Sequence, residues 1–171
     1  MRRLASAAAL SGLMATPAAA AELNLTVEIP RLTVAEYHNP YVAIWVEQPD
    51  QTAVKTLAVW YDLKLKNQEG ETWLKDLRQW WRRAGRAMDL PVDGVSGATR
   101  APGRHQVTFT GGRAPLGTLP AGSYNLVVEA AREVGGREMV RIPFQWPPKA
   151  NAAGEAKGST ELGAVRLTLK P

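Results

Sequence analysis

The sequence contains no cysteine and only two histidines among its 171 residues. Without cysteine, the chain cannot form disulfides, bind a metal through thiolates or use a thiol as a nucleophile. The two histidines, His38 and His105, are not spaced like metal ligands, and the sequence has no nucleophile elbow and no glycine-rich phosphate loop. The sequence therefore offers no basis for an independent catalytic site.

Long hydrophobic runs are also missing, apart from a short one near the N terminus. Two arginines precede an apolar run over residues 4–15, which is followed by Pro17 and a stretch of alanines. This order is typical of a secretory signal peptide, and the run is too short to cross a bilayer of about 30 Å as a membrane anchor. We expect residues 1–20 to be a signal peptide, cleaved after Ala20 or Ala21. The mature chain would then be periplasmic or secreted and would not span a membrane.

The positive charge is too small to indicate a nucleic-acid-binding protein. The full chain carries +5, and loss of Arg2 and Arg3 would lower Lys+Arg from 21 to 19 against 16 Asp+Glu, which leaves +3. A nucleic-acid partner usually requires a dense basic stripe, so we expect none. Hydrophobic residues make up 45% of the chain and charged residues 22%, a globular composition that predicts one domain over residues 22–171.

Short alternating segments separated by turn residues predict a mainly β fold. Such segments occur at residues 23–29, 41–47, 56–62, 106–110, 124–130, 140–144 and 165–169. About seven strands with closely spaced turns favour an antiparallel, immunoglobulin-like sandwich. Residues 149–160 are rich in Ala, Gly and Lys, and they are predicted to form an exposed connection.

The apolar spacing changes in the middle of the chain. Hydrophobic residues recur there every three or four positions, at Trp73, Leu74, Leu77, Trp80, Trp81 and Ala84. This spacing predicts one inserted amphipathic helix over about residues 72–85. We expect Trp73 and Leu77 to pack against the sheet and one of Trp80 and Trp81 to line a site.

The segment 89–103 contains two prolines and three glycines and is predicted to be a loop. Four small residues lie at its centre, namely Ser96, Gly97, Ala98 and Thr99. Another protein's backbone could close over residues of so little bulk, and Thr99 presents a single hydroxyl. Asp93 could hydrogen-bond within the loop or help bind a metal ion during phosphoryl transfer. The segment is therefore well suited to be a modification site, and a turn-rich connector is the alternative.

This segment resembles the FMN-attachment motif Asp-x-x-Ser/Thr-Gly-Ala-Thr of the flavin-bearing subunits of sodium-pumping quinone reductases. The resemblance implies that a dedicated transferase takes FMN from FAD and links its phosphate to the hydroxyl of Thr99. Asp93, Ser96, Gly97 and Ala98 would then be recognition residues. All five motif positions match. The residues that follow Thr99, and the surrounding domain, differ from those families.

The mature chain as a whole resembles a family of predicted periplasmic proteins known as domain of unknown function 2271. The similarity covers most of residues 22–145 and includes the Ser-Gly-Ala-Thr run. It rests further on the segments 40–47, 57–61, 73–81, 122–124 and 129–133. The family occurs alongside flavin transferases and membrane proteins of haem-type electron transfer. The resemblance therefore implies two partners, an FMN transferase and a membrane-bound electron-transfer protein.

Two further groups are candidates for holding a flavin. Trp80 and Trp81 could stack on its ring, with core packing as the alternative. Arg100, among several arginines near the motif, could neutralise the FMN phosphodiester, with a solvated basic face as the alternative. We expect an extracytosolic electron carrier with FMN on a threonine by a phosphoester, a substrate of an FAD:protein FMN transferase and not an enzyme. The alternative is a cofactor-free periplasmic sandwich domain that binds a protein or ligand.

Overall fold

The computed structural model describes residues 20–171, and the predicted signal peptide, apart from Ala20, lies outside the described residues. The described chain contains nine strands: β1 (Glu22–Ile29), β2 (Tyr41–Glu47), β3 (Ala53–Tyr61), β4 (Ser96–Ala98), β5 (Gly103–Thr110), β6 (Gly122–Ala131), β7 (Arg137–Trp146), β8 (Ala152–Lys157) and β9 (Ala164–Lys170). Between β3 and β4 lie two short helices, α1 (Glu69–Thr72) and α2 (Arg78–Arg83), with 3-10 turns at Lys66–Gln68, Leu74–Asp76 and Gly85–Ala87. The fold is mainly β, as the alternating pattern predicts.

The smaller sheet has four antiparallel strands in the order β5-β1-β9-β8. Its strand β1 alternates between fully buried apolar residues and half-buried polar ones. Successive side chains of a strand point to opposite faces, so this alternation places one face of β1 in the core. The prediction made from the spacing of Leu23, Leu25, Val27 and Ile29 is confirmed.

The larger sheet has five strands in the order β4-β3-β2-β6-β7. Neighbouring strands within this sheet are antiparallel, except for β3 and β4, which run parallel. Parallel neighbours need a crossover connection between them, and the helices and turns of residues 66–87 lie within that connection. We call residues 66–87 the cap.

The central strands of the larger sheet, β3, β2 and β6, are buried on both faces. The inner face of this sheet packs against the smaller sheet through side chains such as Val42 and Ile44 of β2, giving a sandwich-like core. Its outer face packs under the cap, where Trp45 of β2 contacts a second core that includes Leu77 and Trp80. Burial on both faces explains why β2 is a continuous hydrophobic run rather than an alternating one.

The cap corrects the prediction of one continuous helix over residues 72–85. Leu77 adopts φ −75° and ψ 68°, and Ala84 adopts φ −141° and ψ −49°, so the helical backbone is interrupted at both residues. Leu77 and Trp80 are nevertheless fully buried against the sheet. The expected burial of Leu77 is confirmed, but Trp73 is 48% exposed, which contradicts its expected packing in the core.

Two buried glutamates fasten the cap to the larger sheet. Glu129 of β6 accepts hydrogen bonds from the backbone N–H groups of Gln79, at 3.1 Å, and Trp80, at 2.9 Å. Glu47 of β2 accepts a hydrogen bond from Nη1 of Arg83 at 2.7 Å. Both carboxylate side chains are 0% exposed. A buried carboxylate is tolerated only when it is paired, so these contacts fix the position of the cap on the sheet.

Two segments predicted as connections contain strands. The predicted loop 89–103 includes β4, which extends the larger sheet through pairing with β3. The predicted connection 149–160 includes β8, which pairs with β9. Both are edge strands with little or no buried side-chain surface, so neither has the hydrophobic alternation that identifies a strand in sequence. They raise the number of strands from the expected seven or so to nine.

Candidate functional site

Thr99 and Asp62 follow the ends of two neighbouring parallel strands. In the pairing of β3 with β4, Tyr61 lies opposite Ala98. The C-terminal ends of parallel strands lie at the same end of a sheet, so the residues that directly follow β3 and β4 lie side by side. Thr99 Oγ1 donates a hydrogen bond to Asp62 Oδ1 at 3.3 Å. The last residue of the small-residue run is thus bound to a carboxylate outside it.

A cleft of about 760 Å³ opens at this end of the larger sheet, and Thr99 lines it. Its walls come from the residues before and at the start of β2, from residues 62–76 and from the turn after β6. These separate segments meet because each is next to a strand that begins or ends at this end of the sheet. Small-molecule sites usually enclose about 300–1,000 Å³, so the cleft is large enough for a ligand such as a nucleotide.

The cleft has an aromatic and apolar wall. Tyr37, Tyr41 and Trp73 line it, together with Leu65 and Val134. Leu65 is 42% exposed, Trp73 48% and Val134 75%, and these three are among five exposed large hydrophobic side chains in residues 20–171. Exposed apolar surface gathered around one cleft often marks a binding site.

The cleft is also acidic. Four carboxylates line it, those of Asp62, Glu69, Asp76 and Glu133. Arg132 lines it as well, but its Nε and Nη2 donate to Glu161 at 2.9 and 3.1 Å. The side chains of this buried ion pair are only 6% and 3% exposed, so Glu161 neutralises the guanidinium locally. The residues that line the cleft therefore carry an excess of negative charge.

Burial perturbs two of the phenols in the cleft. Burial raises the pKa of Tyr41 to about 12, and the nearby Asp62 carboxylate adds to this effect by disfavouring a phenolate. Burial also raises the pKa of Tyr37, with the Arg132 guanidinium acting in the opposite direction. Both side chains are therefore neutral at physiological pH and present uncharged rings and hydroxyl groups to the cleft.

The comparisons with known proteins identify a family. Residues 22–164 match the family model described as predicted periplasmic protein, DUF2271. The chain belongs to the DUF2271 family. No curated protein and no solved structure matches it. The family description places the protein in the periplasm, as expected from the N-terminal segment.

The described part of this DUF2271 protein gives two further results. In residues 20–171, no helix is long and apolar enough to cross a membrane. The same residues contain no cluster of three or more His, Asp or Glu side chains that could hold a metal ion.

In this family member, the small residues of the motif form β4. Ser96 Oγ accepts a hydrogen bond from the Val92 N–H at 3.0 Å, and the Ser96 N–H donates to the Val92 carbonyl at 2.8 Å. This reciprocal pair closes the turn that leads into β4. A Cβ atom on Gly97 would lie 3.2 Å from Cδ1 of the buried Trp60 ring. Ser96 and Gly97 therefore have structural roles in placing β4 along β3.

The structure separates Asp93 and the Arg100 guanidinium from the cleft that Thr99 lines. Asp93 lies before β4 and lines a different cleft, next to Ala53 and Val95. Arg100 follows Thr99, but its guanidinium lies over the Trp60 ring, 5.2 Å from the centroid. Asp93 and Thr99 thus lie at opposite ends of β4, and the recognition residues expected from the motif form a linear segment rather than a compact site.

The tryptophans proposed for stacking also lie apart from the cleft. Trp80 is fully buried, and its Nε1 donates to Thr56 Oγ1 at 3.1 Å. Trp81 is half-buried beside it, with the ring centroids 6.2 Å apart. Among the described residues, neither lines the cleft at Thr99, whereas Trp73 does. Sequence reasoning missed Trp73 because its spacing matches that of the buried residues, and it missed Asp62 because the parallel pairing has no sequence signature.

Proposed function

We propose that this protein is a periplasmic electron carrier with FMN attached covalently to Thr99 through a phosphoester. The observation that carries this proposal is the position of Thr99, whose hydroxyl follows the motif strand at a cleft of about 760 Å³. The motif alone predicts an attachable hydroxyl. A cleft beside that hydroxyl also offers the attached group a place to bind.

The aromatic residues of the cleft fit the ring of a flavin, whereas its carboxylates disfavour the phosphate inside the cleft. Tyr37, Tyr41 and Trp73 provide aromatic surface for a planar ring. Thr99 lies where the phosphate would be anchored, and Arg100 follows it as the nearest cation in sequence. The Asp62 carboxylate opposes an anionic phosphodiester, so the phosphate would have to turn away from Asp62 after attachment. The protein's own contribution would be attachment, orientation and shielding.

Access for a transferase is favoured by the position of β4. This strand is the edge of the larger sheet, and among the described strands it pairs only with β3. An unpaired strand edge can add a strand from a partner protein, which is a common mode of peptide recognition. The small side chains of Gly97 and Ala98 leave room for such an approach. We infer that the transferase binds along the free edge of β4 and reaches Thr99, which directly follows this strand.

The attachment reaction is balanced with FAD as the donor. The Thr99 oxygen forms a bond to the FAD phosphorus that carries the riboflavin, the pyrophosphate bond breaks, and AMP leaves. The hydroxyl proton passes to a base, and Asp62 is the acceptor already hydrogen-bonded to it. When attached, FMN would supply transfer of one or two electrons, and a membrane-bound electron-transfer protein is the proposed partner. The protein itself is a substrate of the transferase and not an enzyme.

Intact mass after periplasmic co-expression with an FMN transferase tests this proposal. We expect a mass gain equal to one phosphoester-linked FMN in the wild type and no gain in Thr99→Ala. Thr168→Ala is the matched control, because Thr168 is an exposed threonine on β9. Wild-type protein that keeps its unmodified mass beside a control substrate that gains FMN would reject the proposal.

A second function is favoured by the charge of the cleft. Four carboxylates beside three aromatic rings form a surface that attracts organic cations through charge and cation–π contacts. The alternative is therefore a cofactor-free periplasmic domain that binds a small cationic ligand. Calorimetric titration of the unmodified protein with spermidine tests it. Saturable binding that is lost in Trp73→Ala would support this alternative, and absence of binding would reject it for this ligand class.

We also propose that the two sheets are an immunoglobulin-like sandwich within one domain over residues 22–171. The hairpin of β6 and β7 and the shared core between the sheets support this proposal. The parallel β3–β4 pair and the cap are additions to that plan. A solved structure with the immunoglobulin strand order, superposed on these strands, would test it.

A further inference from the structure

Trp73 occupies an unusual position for a tryptophan in a small β domain. It is 48% exposed, although neighbouring apolar residues of the cap, such as Leu74 and Leu77, are fully buried. Lys75 Nζ lies over one face of the ring, 5.4 Å from its centroid. Exposing so much apolar surface costs solvation free energy that a bound ligand would recover.

Three aromatic side chains meet at the cleft from different parts of the chain. Tyr37 lies in the segment before β2, Tyr41 begins β2, and Trp73 lies between α1 and the next 3-10 turn. Tyr41 is further supported by Tyr61, whose ring centroid lies 6.2 Å away in an edge-to-face arrangement. The wall is thus partly rigid, because two strands of the sheet hold Tyr41 in place.

We propose that Trp73, Tyr37 and Tyr41 form the binding site for the isoalloxazine ring of FMN linked to Thr99. This inference rests on the proposed function and adds the location of the ring. Trp73 takes the role that the sequence suggested for Trp80 or Trp81. The ring lies against this aromatic wall, and the phosphodiester stays at the mouth of the cleft beside Thr99.

The charges of the cleft support this orientation over the reverse one. The isoalloxazine ring is uncharged when oxidised, whereas the phosphodiester is anionic. Glu69, Asp76 and Glu133 line the same cleft and repel an anion placed against the aromatic wall, and Arg132 is already neutralised by Glu161. The same repulsion weakens binding of free FMN, whose phosphate carries more charge than the diester. Covalent attachment overcomes this repulsion by holding the ring near the wall at a high effective concentration.

Flavin fluorescence of the attached cofactor tests the location, because stacking on tryptophan or tyrosine quenches it. FMN-loaded wild type, Trp73→Ala and Trp81→Ala are first matched for FMN content by intact mass. Their fluorescence per FMN and its quenching by iodide are then compared. Trp81→Ala is the control, since Trp81 is a half-buried tryptophan that lies outside the cleft lining among the described residues. Urea unfolding midpoints verify that both variants remain folded.

We expect weak fluorescence in the wild type and in Trp81→Ala, with a severalfold rise and stronger iodide quenching in Trp73→Ala. Equal fluorescence in all three loaded proteins, or a rise only in Trp81→Ala, overturns the ring location while leaving attachment intact. Absence of an FMN mass gain in the wild type overturns the proposed function and this inference with it. If Trp73→Ala fails to fold, Tyr37→Ala takes its place, with the same expected rise and the same contrary result.

Discussion

Thr99 Oγ1 donates a hydrogen bond to Asp62 Oδ1 across 3.3 Å, and the two residues are 37 positions apart in sequence. The contact exists because β3 and β4 are parallel and end together. Esterification of Thr99 removes the donated hydrogen, so this contact cannot persist in the proposed attached form. Asp62 is therefore a partner of the free hydroxyl, which is the state that would meet the proposed transferase.

Replacement of Asp62 tests its part in attachment. In Asp62→Ala the Thr99 hydroxyl loses its acceptor, and we expect FMN attachment to slow by about tenfold or more, a modest loss for a group that orients or deprotonates a nucleophile. Intact-mass time courses with purified transferase and FAD give the rate. Asp89→Ala, at another exposed aspartate, is the control.

Asp62→Asn separates the two roles of the carboxylate. Its amide oxygen can still orient the hydroxyl but cannot take the proton at neutral pH. A rate near that of the wild type indicates orientation, and a rate as slow as in Asp62→Ala indicates proton transfer. Faster attachment in both variants would contradict either role and show that repulsion of FAD dominates.

Gly97 is expected to tolerate no larger side chain, because a Cβ atom there would lie 3.2 Å from Trp60 Cδ1. Trp60 is 2% exposed and cannot move aside easily. Gly97→Val should lower the free energy of unfolding by about 1–3 kcal/mol, as overpacking of a core does. Urea titration measures this loss. Ala98→Val is the control, since Ala98 is exposed, and a similar loss in both variants would refute the steric explanation.

Glu129 should be the main attachment of the cap to the larger sheet. Glu129→Ala leaves the N–H groups of Gln79 and Trp80 without their acceptor. We expect the free energy of unfolding to fall by about 2–4 kcal/mol, since charged hydrogen bonds are lost inside the protein. The control Glu155→Ala breaks only an exposed ion pair with Arg166 and should cost less than about 1 kcal/mol. Equal losses in the two variants would argue against this role of Glu129.

The stability of the protein should depend on pH through Glu138. Partial burial acts to raise its pKa, but hydrogen bonds from the backbone N–H groups of Ser159, Leu162 and Thr160 lower the pKa from 4.5 to about 2. Because the folded-state pKa is the lower one, this stabilisation is present above pH 4.5. It is lost as the pH falls from 4.5 towards 2.

Glu138→Gln is the variant that reveals this dependence. It should lower the free energy of unfolding at pH 7 by about 1–2 kcal/mol, because the charge-assisted acceptor is lost. Urea titrations at pH 7, 4 and 2 should show the difference from the wild type shrinking as the pH falls. A difference that stays constant across this range would assign the loss to packing instead of ionisation.

Much of the strand arrangement could be predicted from the sequence, and the errors share a physical cause. β1 and β7 each have one buried face, so their hydrophobic residues alternate visibly. β4 and β8 are edge strands held mainly by backbone hydrogen bonds, which any sequence can make. The cap was predicted as one helix because the spacing of hydrophobic residues indicates which residues are buried, but not whether the helix is continuous.

Of the candidate site, only the segment 96–99 was singled out from the sequence. The run from Ser96 to Thr99 predicts a modifiable threonine, because small residues and a lone hydroxyl are local properties. The partners of that threonine are not local. Asp62 and Trp73 come to the cleft through strand pairing and a broken helix, and their sequence neighbourhoods resemble those of ordinary strand and core residues.

The sequence by itself determined a mainly β chain, the buried faces of its central strands and a threonine in a small-residue run. These features depend on composition and short-range periodicity, which are readable without contacts. Only the tertiary structure decided that β3 and β4 lie parallel, that Thr99 meets Asp62 and that Trp73 faces a cleft while Trp80 is buried. These outcomes depend on which distant segments pack together. The free energy of that packing is a sum over contacts throughout the chain, so no short stretch of sequence determines it.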